Sequence, residues 1–240
     1  LHTGRMQHTT GVNSNKQLKK MNWKLPNMGD ALREAGYDTA WVGKLHLSGK
    51  KPGGVPAEAG PDGGGWSWGY YPMFENGIPG FENLNRSHAM KAYAKREKTF
   101  ESYNVGLDVD PPVVATAIAY LKQPRKNPFF LVVSIMNPHD ICFWEQIVDK
   151  YDWPRPPEDL DLLPPLPPNH AVQKDEAGWI KARRDSKKGA KYRSQWEARE
   201  WRSYLYAYIK YVEDADRSVG KILTALRESG LEDDTEIGRA

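Results

Sequence analysis

The chain has 240 residues, of which 39% are hydrophobic and 27% charged, and its formal net charge is +3. That length suits one large domain with a sizeable core, and the apolar fraction is too high for a disordered chain. The longest strongly apolar run, Phe129 to Met136, is too short to cross a bilayer; the charge balance requires no polyanionic partner; and the single Cys142 excludes an intrachain disulfide and every cysteine-based zinc cluster.

Leu1 is not an initiator Met, and Leu1 to Arg5 does not read as a signal peptide. At the other end, Asp233 to Ile237 reads as a loop entering a strand that stops at Ala240. These ends predict an internal piece of a longer protein, so a missing targeting signal says nothing about localisation.

Leu25, Met28, Leu32 and Ala35 share one helical face, and Gly36 stands where a helix C-terminal cap belongs. Tyr37 to Val42 reads as a strand, left through the loop Gly43-Lys44-Leu45-His46. Residues 49 to 88 are rich in Gly and aromatics and read as irregular. There Trp66, Trp68, Tyr70 and Tyr71 serve either to stack on a ring or to pack the loop. Asp110-Pro111-Pro112 predicts a helix start, since Pro is tolerated in the first turn, and Val114, Ala117, Ile118 and Leu121 continue the helix. After a turn between Pro124 and Pro128, Phe129 to Ile135 is apolar apart from Ser134, as in a strand buried on both faces of a parallel sheet. It ends at Asn137-Pro138-His139-Asp140.

Residues 153 to 168 contain seven prolines and read as a loop. From Lys174 to Arg202 there are ten Lys or Arg against five Asp or Glu, read first as a solvated helix and second as a rim attracting an anionic substrate. Leu205, Tyr208, Ile209, Val212, Val219, Ile222, Leu223 and Leu226 outline a long amphipathic helix, stopped by Gly230 and followed by an expected strand. Helices alternating with strands predict an α/β fold with a mainly parallel sheet.

In such sheets ligands bind beyond the carboxyl ends of the strands. One strand exit carries Lys44 and His46, the other His139 and Asp140. A cation and two imidazoles on neighbouring loops suit an anionic oxyester: one group holds the anion, one serves the nucleophile, and one protonates the leaving oxygen. Asp140 is either a substrate contact or a loop cap. No Gly-x-Ser-x-Gly elbow is present, and Gly63-Gly64-Gly65 lacks the Lys and helix of a phosphate loop.

Four segments bear a family resemblance, one of them Tyr208 to Asp234, which is similar to the family's helix before the strand that carries the late metal ligands. Leu1-His2-Thr3-Gly4-Arg5 resembles the tail of the first sulfatase signature, Cys/Ser-x-Pro-Ser-Arg-x-x-x-Leu-x-Thr-Gly-Arg. Ala35-Gly36-Tyr37, followed by Gly43-Lys44-Leu45-His46-Leu47, is similar to the second signature, with Leu45 in place of Trp and Ser48 before Gly49. Phe129 to Ser134, followed by Asn137-Pro138-His139, looks like the family's strand leading to Asn-Pro-His.

The resemblance implies an alkaline-phosphatase-like α/β sandwich with a mixed sheet flanked by helices. The stretch 1–240 would be the central part of its catalytic domain, truncated at both ends. It also implies sulfate-ester hydrolysis by a formylglycine made from Cys or Ser, aided by a calcium ion on Asp and Asn side chains. By position, Lys44 matches the family lysine on the sulfate, His46 the histidine that assists the formylglycine hydroxyl, and His139 the histidine near the leaving oxygen. Arg5 reads as a structural anchor.

The modifiable residue falls upstream of Leu1, the early acidic metal ligands further upstream, and the late Asp-His or Asp-Asn pair on a strand beginning near Thr235, which here reads Glu236-Ile237-Gly238-Arg239-Ala240 without that pair. No metal ligands are therefore expected within this chain. The expected partner is a sulfated small molecule or glycan, with no nucleic acid and no membrane span, and the family expectation for location is periplasmic, secreted or lysosomal.

Two alternatives remain open: a phosphoester or phosphonate hydrolase of the same superfamily, and a non-catalytic protein binding sulfated glycans through residues 174 to 202. The purified 240-residue chain is expected to turn over no aryl sulfate by itself; measurable release of the phenol would overturn that expectation.

Overall fold

The computed structural model describes residues 3–11, 24–44, 80–84, 106–172, 174–186 and 196–238. They form two compact units: Leu1–Asn137 with Ala215–Ala240, and Pro138–Asp214.

The first unit is built on a sheet. After the short helix α1 (Gln7–Thr10), helix α2 (Met28–Glu34) leads into strand β1 (Asp38–Gly43), and β2 (Glu82–Asn83) and β3 (Phe129–Ser134) flank it. Both pairings are parallel, and the order is β2-β1-β3. The long ladder runs from Asp38 opposite Phe129 to Gly43 opposite Ser134. The described strands are thus all parallel, and β2 adds order to a stretch whose sequence reads as irregular.

Local chemistry explains α2. The Asn27 side-chain oxygen accepts from the N–H groups of Gly29 (2.8 Å) and Asp30 (3.3 Å), and the Asp30 carboxylate accepts from Asn27 N–H (3.0 Å). This reciprocal box satisfies donors that the first turn leaves orphaned. At the other end Gly36, at φ +89°, lets Tyr37 N–H reach Leu32 C=O (2.9 Å) and Gly36 N–H reach Arg33 C=O (3.0 Å). The expected glycine cap is therefore present as a Schellman turn.

The buried face of α2 departs from expectation. Met28 and Ala35 are exposed, and Gly29 is buried against the Phe81 ring and the Gly80 carbonyl, where a Cβ has no room. Periodicity marks apolar side chains, but close backbone approach here selects a residue without one. Phe81 in turn meets Trp41 edge-on at 5.9 Å.

Helix α3 runs Gly106–Leu121, so it begins one turn before the expected start, and Pro111 and Pro112 lie inside it. Its Val109, Val113 and Ala117 pack with Val42 of β1 and with Met136. Burial of each such aliphatic side chain stabilises by roughly 1.5–3 kcal/mol. Tertiary packing here outweighs the helix-breaking tendency of proline.

β3 was expected to be the strand buried on both faces. It is half-buried throughout, whereas five of the six residues of β1 are buried. The reason is position: β1 lies between two described strands, and β3 is an edge of the described sheet. The first unit also contains the end of the long helix considered below, whose Ala225 and Leu226 pack with Leu121 of α3.

The second unit opens with a 3-10 turn, His139–Phe143, followed by α4 (Trp144–Tyr151). The proline-rich stretch has one further 3-10 turn, Leu160–Leu162, and a cis peptide between Trp153 and Pro154. The Arg202 guanidinium anchors that stretch by donating to the carbonyls of Leu160 (2.5 Å), Leu163 (2.6 Å) and Pro164 (2.9 Å). Of the basic segment, Gly178–Arg184 forms a short exposed helix, α5, in which Arg184 is paired with Glu176 and Asp185, and residues from Ala198 onward begin the next helix; residues 187–195 lie outside the described set.

Helix α6 (Ala198–Glu228) is the expected long helix, but its buried line is displaced. Ser203, Ala207 and Tyr211 are buried, as are Ala225 and Leu226, while Tyr208, Ile209, Val212 and Val219 are exposed. Gly230 ends it with a second glycine turn at φ +67°. The strand expected after it is not formed among the described residues, where no strand offers 235–238 a ladder. Thr235 instead bonds back to Glu232 (3.2 Å) and Leu231 (2.6 Å).

Gly43 closes β1 at φ +96°, and a Cβ there would collide with the Ser134 carbonyl. Gly43→Ala is expected to destabilise the chain by about 2 kcal/mol or more, read as a lower urea midpoint at unchanged slope.

Candidate active site

Lys44 leaves the carboxyl end of β1. The ladder carries one bond beyond the strand, because Lys44 N–H donates to Ser134 C=O at 2.8 Å. The backbone bearing this half-buried cation is therefore tied to the last residue of β3. His46 lies outside the described residues. Arg5 is exposed.

Beyond Ser134 the chain turns through Met136 and Asn137, both 5% exposed. Their N–H groups lie past the strand and need acceptors. Asp110 supplies both: its carboxylate accepts from Met136 N–H at 2.5 Å and from Asn137 N–H at 3.0 Å. Asp110 itself is 3% exposed. It was expected to open a helix; instead it sits within α3 and holds the exit of β3. A carboxylate before two prolines looks like a cap in sequence, and partners 26 and 27 residues away leave no local signal. Asn137 also packs against Gly106, where a Cβ would come within 2.7 Å of its side chain.

His139 and Asp140 belong to the second unit. His139 is half-buried at the start of the 3-10 turn, with its ring 5.9 Å from that of Phe143. Asp140 is 1% exposed, so it is a buried group rather than a surface one. It shares its unit with Tyr211, which is wholly buried and whose hydroxyl has no hydrogen-bond partner. Burial, then the charges of Asp140 and Asp214, raise Tyr211 well above the ordinary tyrosine value of 10.0.

A cavity of about 440 Å³ lies in the first unit, but at the amino ends of β1 and β3, lined by Asp38, Tyr120, Arg125 and Asn127 among others. Arg33, Arg125, Asp38 and Glu82 all line it, so its formal charges balance. Size alone does not make it the candidate site, because open α/β sheets bind ligands at the opposite end. Among the described residues no three His, Cys, Asp or Glu side chains gather in a way that could hold a metal. These residues therefore do not fit a calcium site. No helix of the described residues is long and apolar enough to cross a membrane.

Lys44 thus follows one strand of a parallel sheet in an α/β unit, and Asn137 lies beyond the end of the neighbouring strand. The chain belongs to the sulfatase family: the family model named Sulfatase matches residues 1–237. It is 24% identical over 238 residues to the Delta 4,5-hexuronate-2-O-sulfatase of Bacteroides thetaiotaomicron, covering 94% of this chain and 41% of that protein. Its fold is similar to that of a solved 2-O GAG sulfatase (TM-score 0.65, 21% identity, 97% of this chain and 43% of the other). A solved candidate sulfatase of Bacteroides thetaiotaomicron gives a TM-score of 0.63 at 22% identity, over 94% of this chain and 42% of the other. At these identities the structural likeness shows the fold alone. The chain spans about two fifths of the length of the relatives it matches.

Tyr211→Phe removes a buried hydroxyl that bonds to nothing, and is expected to leave stability at pH 7 unchanged or raise it by about 1 kcal/mol. The folded chain holds the Tyr211 proton more tightly than the unfolded chain, so this group's contribution is complete below pH 10.0 and is lost as pH rises above it. Denaturant titrations from pH 9 to 11.5 check the sign: the variant is expected to lose stability less steeply than the parent.

Proposed function

We propose that the chain forms the central part of the catalytic domain of a sulfate-ester hydrolase. The observation that carries the reading is the family match over residues 1–237, with Lys44 tied to the strand end from which Asn137-Pro138-His139 departs. Lys44 holds the sulfate as a compact positive charge and offsets the charge gathering on its oxygens. His46 takes a proton from the attacking hydroxyl. His139 gives one to the leaving oxygen, which a sugar alkoxide needs because it is a poor leaving group. The burial of Asp140 favours a supporting role over touching substrate.

Formylglycine and calcium are attributed to the protein on family resemblance. The roles above belong to the chain's own side chains. The names of the relatives favour a 2-O-sulfated hexuronate within a glycosaminoglycan fragment as substrate. Export from the cytoplasm is proposed on the same family grounds.

The test uses a polypeptide that contains these residues and carries the formylglycine, assayed on an unsaturated 2-O-sulfated uronide disaccharide. Lys44→Ala and His139→Ala are each expected to lower kcat/KM by about a hundredfold or more, with unchanged circular dichroism. Full activity in both variants would end the reading. Retention on heparin that neither substitution alters, without turnover, would favour a glycan-binding protein.

A further inference from the structure

We propose that the first unit carries a second ligand site, for a small zwitterion such as an amino acid, at the end of the sheet opposite Lys44. The site is the cavity of about 440 Å³ at the amino ends of β1 and β3. Its geometry follows from the strand register. Asp38 opens β1, and residues two apart on a strand share a face, so Asp38 and Ala40 point the same way. Glu82 is the partner of Ala40 in the parallel pairing, which puts both carboxylates on one face of the sheet. Helix α3 packs on that face, where Val42 meets Val109 and Val113. Tyr120 in its last turn stands 6.2 Å from the ring of Phe129, the partner of Asp38. The turn after α3 brings Arg125 to the cavity, and the last turn of α2 brings Arg33.

These four charges do not neutralise one another directly. Among the described residues no ion pair joins any of them. Asp38 accepts from the Asn127 amide (3.2 Å), and Arg33 Nε donates to the Thr39 hydroxyl (2.8 Å). Arg125 separates this arrangement from a merely solvated rim. Its guanidinium lies 3.8 Å from the centre of the Tyr120 ring, and its Nε and Nη2 are closed to water and bond to nothing. Buried donors without acceptors are costly and rare. Their N–H groups share one edge of the planar fork, the edge that grips a carboxylate through two parallel bonds. A carboxylate in the cavity supplies the missing acceptors once the flexible arginine stem turns that edge toward it. Tyr120 shows that the charges converge. Burial, then Arg125, Asp38, Glu82 and Arg33, act on its hydroxyl, and the net effect holds its pKa above the ordinary value.

The balance of charge selects the ligand. A simple anion attracted by Arg33 and Arg125 is opposed by Asp38 and Glu82, and a simple cation meets the reverse. A molecule carrying both a carboxylate and an ammonium satisfies the two pairs together.

The experiment titrates the full chain by calorimetry at low ionic strength with glycine, β-alanine, 4-aminobutanoate and 6-aminohexanoate. Butanoate and butylammonium serve as controls with one charge each. At least one zwitterion is expected to bind with a Kd of about 1 mM or tighter, and affinity should vary with the spacing of its charges. Each control is expected to bind about tenfold more weakly or less. Arg125→Met and Glu82→Gln should each weaken the best zwitterion about tenfold, and added salt should weaken it further. Glu82 is exposed, so Glu82→Gln keeps the test open if Arg125→Met does not fold. Lys44→Ala, at the other end of β1, is expected to leave binding unchanged. No binding of any zwitterion up to about 20 mM, controls that bind as tightly as the zwitterions, or binding that survives in the folded variants of Arg125 and Glu82 would overturn the proposal. These outcomes hold whether or not the protein hydrolyses a sulfate ester, so the two readings fail separately.

Discussion

The parallel ladder between β1 and β3 sets where the remaining parts of the first unit can stand. It runs the full length of both strands, and one further bond, Lys44 N–H to Ser134 C=O, extends it past the strands. A parallel pair has no tight turn to hold its register. The register is held instead by packing: Val42 lies under α3, and Trp41 meets Phe81. Slipping the pair by one residue would turn these side chains to the opposite face. With the register held, the two strand exits come out level, and Lys44 and Asn137 follow them at the same edge of the sheet.

Two glycines and one carboxylate finish what the ladder begins. Gly43 takes a backbone conformation that other residues resist, at a point where the Ser134 carbonyl leaves no space. Gly106 allows the Asn137 side chain to lie against α3. Asp110 gives the amides beyond β3 the acceptors that a strand partner would otherwise supply. All three act on backbone close to the candidate site without being reactive groups. The chemistry of the site is carried by few side chains, whereas their placement is shared among many.

The second unit follows a different logic. Its proline-rich stretch has little regular structure, and three carbonyls of that stretch converge on the Arg202 guanidinium. Trp144, Trp196, Trp201 and Tyr204 pack edge to face around one another at 5.1 to 6.1 Å. A planar donor fork and large aromatic surfaces can order a loop that makes few backbone bonds of its own. This unit also keeps two costly groups, the buried Asp140 and the unpartnered hydroxyl of Tyr211, close to the sequence that carries His139.

Much of the frame was legible in the residues alone. Gly36 and Gly230 mark helix ends because a left-handed residue there lets the last carbonyls find donors, which is a local effect. β1, β3 and the long helix α6 follow from hydrophobic spacing, and the sulfatase family from short motifs in the right order. What the tertiary structure decided is which face of each element is buried. Gly29 rather than Met28, β1 rather than β3, and the line of Ser203, Ala207 and Tyr211 rather than that of Tyr208 and Val212 depend on neighbours distant in the chain. Asp110 is the plainest case: its residue type and local context spell a helix cap, and only the folding of β3 beneath α3 brings it the two amides that it holds.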